Sequence, residues 1–186
     1  MSVLGERRDR GLLLRVVHGT LSGRPVLREL VSELCGVPVS SVLIQARCPD
    51  CGGAHGRPVV MAPAAATRIR VSLSHVGDTV VAAASLDRAV GVDAEPADAA
   101  TDPERTTAIE HVSGREGADP LARWTSIEAV LKADGRGLRV DPSAVTFGRS
   151  VDGVRMLARL PDSDRVYEVW EAAADPELRI SVAREL

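Results

Sequence analysis

The amino-acid sequence predicts an α+β fold made of two similar halves, each with a helix followed by short antiparallel strands. Helical periodicity recurs twice, around residues 25–35 and again at 121–133. Each time, several segments with alternating polarity follow, as expected of half-buried strands. Pairs of turn-forming residues separate neighbouring strands, which favours antiparallel pairing over crossover connections. At 186 residues the chain is long enough to bury a sizeable core.

The first half opens with a segment, residues 6–35, that is predicted to be helical and basic in its first turns. Its clearer part runs from Pro25 to Cys35, because proline is tolerated in a first helical turn and Gly36 can end a helix. The alternative is one longer helix that is kinked at Pro25. The apolar stripe of this helix consists of Val26, Leu27, Leu30, Val31 and Leu34.

Short strands with turns between them are predicted after this helix. The predicted strands of this part of the chain are 41–46, 69–74, 79–85 and 89–94. Further along, a polar helical segment reaches Gly117, and a second helix begins after Asp119 and ends near Gly135. The last predicted strands are 154–160, 165–171 and 178–183.

Composition argues against several classes of function. A net charge of −3 and an aromatic content of 2% do not suit nucleic acid, because single-strand binders need basic grooves and stacking rings. No apolar run reaches the roughly 18 residues of a membrane span, and the N-terminal residues lack the apolar core of a signal peptide. Three cysteines, an odd number, indicate reduced thiols. We therefore expect a cytoplasmic protein without a nucleic-acid or membrane partner.

The pattern with the most chemical content begins at Gly91. In an extended strand Asp93 and Glu95 project to the same face, and Gly91 allows a ligand or a second strand to approach closely. About thirty residues later, Glu128 and Lys132 lie four apart on one face of the predicted helix. Three carboxylates and one amine suit a hard divalent cation that holds a phosphate. Together they predict a site for phosphoryl transfer.

Each of these features also has an ordinary explanation when it is taken alone. Asp93 and Glu95 could be solvent-facing strand residues beside a turn. Glu128 and Lys132 could be a surface helix pair that contributes only about 0.2–0.5 kcal/mol. His75, at the end of a predicted strand, is by default a turn residue.

A cysteine-containing loop follows the first predicted strand. Cys48, Cys51 and His55 are residue types that bind zinc, with Cys35 as a remote fourth ligand. Structural zinc sites normally take four ligands at better spacing than this. The sequence therefore favours a loop without zinc.

Taken in order, the motifs resemble the 4′-phosphopantetheinyl transferases of the surfactin-synthetase-activating type, in particular the variants that serve polyketide and nonribosomal peptide synthases in actinobacteria. The resemblance extends from about Arg7 to about Asp141. The motifs that carry it are a basic N-terminal segment, residues 51–58 (CGGAHGRP), 72–75 (SLSH), 90–95 (VGVDAE) and 124–138 (WTSIEAVLKADGRGL). The last of these is the most specific.

The resemblance implies a particular fold and metal site. Two half-domains, residues 1–86 and 87–186, would be related by a pseudo-two-fold with the active site between them. Asp93, Glu95 and Glu128 match the family's Mg²⁺ ligands, and hard oxygen ligands would accept Mn²⁺ as well. Glu128 also matches a candidate general base.

The resemblance further implies residues that bind coenzyme A. Lys132 matches the lysine on its phosphates, and Ser74 and His75 match the pair at the diphosphate and 3′-phosphate region. Glu128, Lys132 and His75 are therefore the expected catalytic residues. The expected contacts to the adenine and 3′-phosphate are Gly56, Arg57, Pro58 and Arg7, with Arg10 less directly involved.

The sequence departs from the family pattern in two places. Ile127 occupies the position before the motif glutamate, where the family often has a lysine, so one cation near the transferring phosphate is missing. Ile127 lies with Trp124 and Leu131 on the predicted helix, which favours a place in the core. The N-terminus is also short, with barely room for the strand that precedes the basic helix in many relatives.

The implied reaction transfers 4′-phosphopantetheine from coenzyme A to a serine of an acyl or peptidyl carrier protein. Arginine-rich segments, residues 7–15 and 136–139, are expected to steer an acidic carrier protein. A monomer is expected, because both parts of the site lie on one chain. The alternative is a non-catalytic module that binds coenzyme A or a carrier protein, favoured only by Ile127 and the short N-terminus. A metal-dependent nucleotide hydrolase is a third hypothesis.

Overall fold

The computed structural model describes residues 2–9, 11–46, 48, 51–54, 56–113 and 119–186. The chain forms two compact units, Met1–Val90 (unit 1) and Gly91–Leu186 (unit 2). Each unit combines helix with a sheet of antiparallel strand pairs, so the predicted α+β class is confirmed. The sequence predicts a division near Leu86, and the structure divides after Val90.

Unit 1 is a four-stranded antiparallel sheet with one helix packed on it. The sheet has the strand order β1-β2-β6-β5, and β3 and β4 form a separate antiparallel pair. Helix α1 covers the sheet mainly at β6, and its buried leucines and valines enclose the core of this unit. The elements are β1 (Ser2–Asp9), β2 (Leu12–His18), α1 (Gly23–Cys35), β3 (Leu43–Ala46), β4 (Pro58–Ala62), β5 (Ile69–Val76) and β6 (Thr79–Leu86).

The predicted N-terminal helix is wrong, because β1 and β2 pair antiparallel at the start of unit 1. The residues that mislead are Leu12 to Val17, an apolar run with Arg15 inside it. A continuous apolar run with β-branched residues also suits a strand that is buried on both faces, and Leu14, Val16 and Val17 are all buried. The expectation that the N-terminus is too short for a strand is therefore also wrong.

Helix α1 agrees with the clearer part of the helical prediction. It begins at Gly23, so Pro25 lies in the first turn and does not kink a longer helix. It ends at Cys35, and Gly36 follows in the left-handed conformation with φ 68°. Strands β3, β5 and β6 were expected, whereas β4 was not, because its segment Pro58–Ala62 has no polar residue to mark the exposed face.

Arg15 illustrates a consequence of the corrected N-terminus. From β2 its guanidinium donates to Glu29 at 3.3 Å and to Glu33 at 2.8 Å, both on α1. Only 11% of the Arg15 side chain is exposed. This arginine therefore joins the helix to the sheet, and the prediction that it helps to steer a carrier protein is wrong.

Unit 2 is a five-stranded sheet with two helices. Its strand order is β7-β11-β10-β9-β8. Helix α3 packs on β11 and β10, and α2 packs on α3. Within the described part of the chain, no helix is long and apolar enough to cross a membrane. The elements are β7 (Val90–Pro96), α2 (Pro103–Ser113), α3 (Pro120–Asp134), β8 (Thr146–Arg149), β9 (Met156–Arg159), β10 (Val166–Glu171) and β11 (Leu178–Glu185).

Helix α3 is fixed at both ends. At its start the Asp119 carboxylate accepts a hydrogen bond from the backbone N–H of Ala122 at 3.0 Å. At its end Gly135 adopts φ 89°, and the hydroxyl of buried Tyr167 donates to Asp134 at 3.2 Å. Burial raises the pKa of Tyr167 to about 12, so its hydroxyl stays a donor at physiological pH. These contacts hold the register of α3 over the sheet.

Strand β7 touches the backbone of α3 at one residue, Gly91. A Cβ atom at this position would lie 1.9 Å from the carbonyl oxygen of Ala129 and 2.5 Å from the nitrogen of Ala133. The sequence predicts a close approach at Gly91 by a ligand or a strand. The close approach is present, but it is the backbone of helix α3 that lies against Gly91.

We expect Gly91→Ala to lower the free energy of unfolding by at least ~3 kcal/mol, because the methyl group meets backbone atoms that cannot turn away. The measurement is urea unfolding of both proteins. Gly148→Ala is the matched control in the same unit, since a Cβ there would meet nothing within 4 Å; its effect should stay within about 1 kcal/mol. Equal effects of the two substitutions would contradict the close contact.

Candidate functional site

The candidate site of unit 2 is the carboxylate cluster, which we define as Asp93, Glu95 and Glu128. Asp93 and Glu95 follow Gly91 at alternate positions of β7, whereas the residues between them, Val92 and Ala94, are buried apolar side chains. Because Gly91 rests on α3 next to Glu128, the strand carries both of its carboxylates toward that helix. The prediction that Asp93 and Glu95 share one face is consistent with this placement.

Lys132 bridges the helix and the strand. Its Nζ donates to Oδ1 of Asp93 at 2.6 Å. Asp93 is only 6% exposed, so the alternative explanation, a solvent-facing strand residue, is wrong for this residue. A buried carboxylate is retained at such a position only with a cation or a metal ion beside it. The ion pair therefore ties β7 to the last turn of α3.

Glu128 lies half-buried on the same helix. Burial raises its pKa, the negative charge of Asp93 raises it further, Lys132 lowers it, and Glu95 raises it again. The first and second effects outweigh the attraction of Lys132. The three carboxylates thus lie close enough to influence one another, and their mutual repulsion favours binding of a further cation.

Glu95 has two partners that sequence reasoning missed. Its pKa is raised by burial, lowered by Arg105, raised by Asp93 and lowered by a hydrogen bond from the Trp124 indole. The Arg105 guanidinium forms an ion pair with Glu95 through Nη2 and Oε2. Trp124 could have been suspected, since it opens the most specific motif. Arg105 carried no signal, because it lies in a polar helix without a motif.

The donor set suits a hard divalent cation, since all three side chains offer carboxylate oxygens. Burial is the largest cause that raises the pKa of Glu95 and of Glu128, and the charge of Asp93 raises both further. In their present arrangement Asp93 and Glu95 are paired with Lys132 and Arg105 instead. Among the described residues, no three histidine, cysteine or acidic side chains are arranged to hold a metal ion. Coordination would therefore require these side chains to exchange partners.

The other expected binding residues belong to unit 1. Ser74 is buried and His75 is exposed on β5. Gly56 adopts φ 109°, Arg57 is half-buried and Pro58 opens β4, which packs against β5. The two groups of expected residues thus lie on neighbouring strands of one unit.

Three expected residues have no described side chain. Arg7 lies in β1, but its side chain is outside the described part of the structure, and so are Arg10 and His55. The assignment of Arg7 and Arg10 to the 3′-phosphate stays a prediction, and so does the expectation that the loop around His55 holds no zinc.

The three cysteines are not joined by disulfides. Cys51 Sγ accepts a hydrogen bond from the backbone N–H of Gly53 at 3.4 Å, within a turn in which the Cys48 N–H donates to the Gly53 carbonyl. Cys35 is remote in sequence and donates to the carbonyl of Ala65 at 3.7 Å. Cys35 thus already has a partner of its own outside this turn.

Ile127 lies in the core of unit 2, where it is fully buried with Val130 and Leu131. Its predicted place in the core is confirmed. Trp124 belongs to a different apolar cluster, with Ile109 and Leu121.

Comparison with known proteins returns no matching family model and no matching curated protein. The motifs and the geometry of the carboxylate cluster are therefore the observations that bear on function.

We expect Glu128→Gln to raise the thermal midpoint of the metal-free protein at pH 7. The pKa of Glu128 is raised in the folded state, so its ionised form destabilises the fold above that pKa, and glutamine removes this charge. The gain should shrink as the pH falls toward about 4, where glutamate is protonated in both states. Thermal unfolding in a chelator at pH 7 and at pH 4 measures the difference.

Glu177→Gln, an exposed glutamate of the same unit, is the matched control. Its midpoint should follow that of the unmodified protein at both pH values. A lower midpoint for Glu128→Gln at pH 7 would show that ionised Glu128 stabilises the fold.

Proposed function

We propose that the protein transfers the 4′-phosphopantetheine group of coenzyme A to a serine of an acyl or peptidyl carrier protein, with release of adenosine 3′,5′-bisphosphate. Transfer is Mg²⁺-dependent, with Mn²⁺ as an alternative ion. The observation that carries the proposal is the meeting of Asp93 and Glu95 on β7 with Glu128 and Lys132 on α3. Two motifs that are about thirty residues apart in sequence thereby supply one site.

The carboxylate cluster would hold the metal ion, which supplies charge neutralisation at the diphosphate when it is bound. Glu128, directly or through a water molecule, accepts the proton of the carrier serine. The serine oxygen forms a bond to the β-phosphorus as the bond from that phosphorus to the bridging oxygen breaks. Lys132 would donate to the diphosphate oxygens as the leaving group gains charge, and the resemblance implies the same role for His75.

The raised pKa of Glu128 supports its role as a base. Burial and the charge of Asp93 move its pKa toward the working pH, which makes the carboxylate a better proton acceptor. Ionised Glu128 is costly in the folded protein, so proton acceptance also relieves repulsion among the three carboxylates.

The two units have related strand orders, which supports the proposed similarity of the two halves. In unit 1 the strand before the helix, β2, neighbours the last strand, β6, which neighbours β5. In unit 2 the strand before the helices, β7, neighbours the last strand, β11, which neighbours β10. In each unit the strand that precedes the helical segment therefore lies beside the last strand.

Mass spectrometry of a carrier protein tests the function directly. The protein, coenzyme A, Mg²⁺ and an apo carrier protein are mixed, and the carrier should gain the mass of one 4′-phosphopantetheine group. An unchanged carrier with intact coenzyme A would favour a non-catalytic binding module. An unchanged carrier with cleaved coenzyme A would favour a nucleotide hydrolase.

We expect Glu128→Gln to reduce turnover of the carrier at least ~100-fold, since a metal ligand and the proton acceptor are both lost. The same assay measures the rate, and the thermal midpoint shows that the variant is folded. Near-normal carrier modification would remove Glu128 from the mechanism.

Arg57→Ala should weaken binding of coenzyme A about ten- to a hundred-fold more than binding of 3′-dephospho-coenzyme A. A charged hydrogen bond to the 3′-phosphate contributes ~1.5–3 kcal/mol, and only the first ligand carries this phosphate. Isothermal titration calorimetry gives both affinities. Arg28→Ala, an exposed arginine on α1 of the same unit, is the control. Equal weakening of both ligands by Arg57→Ala would assign the arginine another role.

A further inference from the structure

Arg105 is attached to the carboxylate cluster by its ion pair with Glu95. It lies on α2, one helical turn before Ile109, which is the one buried residue among the α2 positions whose burial the structure describes. Backbone N–H groups at the start of this helix donate to Asp102 at 3.0 and 3.2 Å. The helix packs on α3 through Ile109, its first turn is capped by Asp102, and Arg105 joins it to Glu95.

The charges explain what Arg105 does in the metal-free protein. The three carboxylates carry three negative charges, and Lys132 and Arg105 together return two. A divalent cation at the same carboxylates would leave a net positive charge, and the guanidinium would then be repelled from Glu95. Lys132, whose side chain is 30% exposed, projects from a helix that is capped at both ends, whereas the Arg105 side chain is 42% exposed. Arg105 is therefore the cation that can move more easily.

Ile127, the residue before Glu128, is fully buried among apolar side chains, so it offers no cation to a bound phosphate. Arginine suits phosphate, because its planar fork can bind two phosphate oxygens at once.

We propose that Arg105 is a substrate-binding residue that neutralises Glu95 in the metal-free protein and passes to the diphosphate oxygens of the substrate when a divalent cation binds. The inference rests on the proposed function for its substrate class. It goes beyond that function, since it adds a phosphate ligand from α2 and couples metal binding to the release of this arginine.

Calorimetry of the full-length protein tests the exchange without any transfer reaction. Arg105→Ala, Arg105→Lys and the control Arg159→Ala, an exposed arginine on β9 of the same unit, are titrated with Mg²⁺ alone and then with inorganic pyrophosphate in excess Mg²⁺. Arg105→Ala should bind Mg²⁺ alone at least as tightly as the unmodified protein, because a competing cation is gone. It should bind magnesium pyrophosphate about tenfold more weakly. Arg105→Lys should lie between these two proteins, and Arg159→Ala should match the unmodified protein.

The opposite signs separate the inference from other roles of Arg105. If Arg105→Ala weakened the binding of both Mg²⁺ and magnesium pyrophosphate, the arginine would be a structural support of Glu95. If it tightened the binding of both, Arg105 would only compete with the metal ion for Glu95. Either result overturns the inference. It is also overturned if Arg105→Ala binds magnesium pyrophosphate as tightly as the unmodified protein does, or if magnesium pyrophosphate does not bind the unmodified protein. The proposed function fails separately, by an unmodified carrier protein in the mass-spectrometric assay.

Discussion

The contact between Gly91 and the backbone of α3 is the constraint on which the carboxylate cluster depends. Two backbones come this close only where no Cβ stands between them, and the calculated Cβ position lies within 2.5 Å of atoms of both Ala129 and Ala133. Those two residues are the immediate neighbours of Glu128 and Lys132. Strand β7 therefore meets the helix at the turn that carries the functional side chains, and Asp93 comes within 2.6 Å of Lys132 as a consequence.

The cluster that results is electrostatically unfavourable in the metal-free protein. Burial raises the pKa of Glu95 and of Glu128, and each carboxylate repels the others. Lys132 and Arg105 offset this repulsion only in part, while the capped ends of α3 and the core around Ile127 hold the helix in place. A site that binds a divalent cation benefits from such strain, because the cation then gains the interactions that the protein alone leaves unsatisfied.

The N-terminus shows why an apolar run does not determine the kind of element it forms. The residues from Leu12 to Val17 are compatible with a buried helix or with a strand buried on both faces, and only length and turn residues distinguish the two. Pairing with β1 and β6 selects the strand. Arg15 then faces α1 and binds Glu29 and Glu33, so a residue that looks exposed in a helix becomes part of the interior.

Local sequence signals by themselves determined α1, α3 and most strands of the two sheets. They also identified residues 91–95 and 128–132 as the two segments with the candidate site residues. These follow from period, caps and alternation, which act over a few residues. Only the tertiary structure decided that the backbone of α3 packs against Gly91, that Lys132 pairs with Asp93 and that Arg105 pairs with Glu95. Such contacts join positions ten to forty residues apart along the chain, and they depend on how separate elements pack; no local pattern encodes that distance.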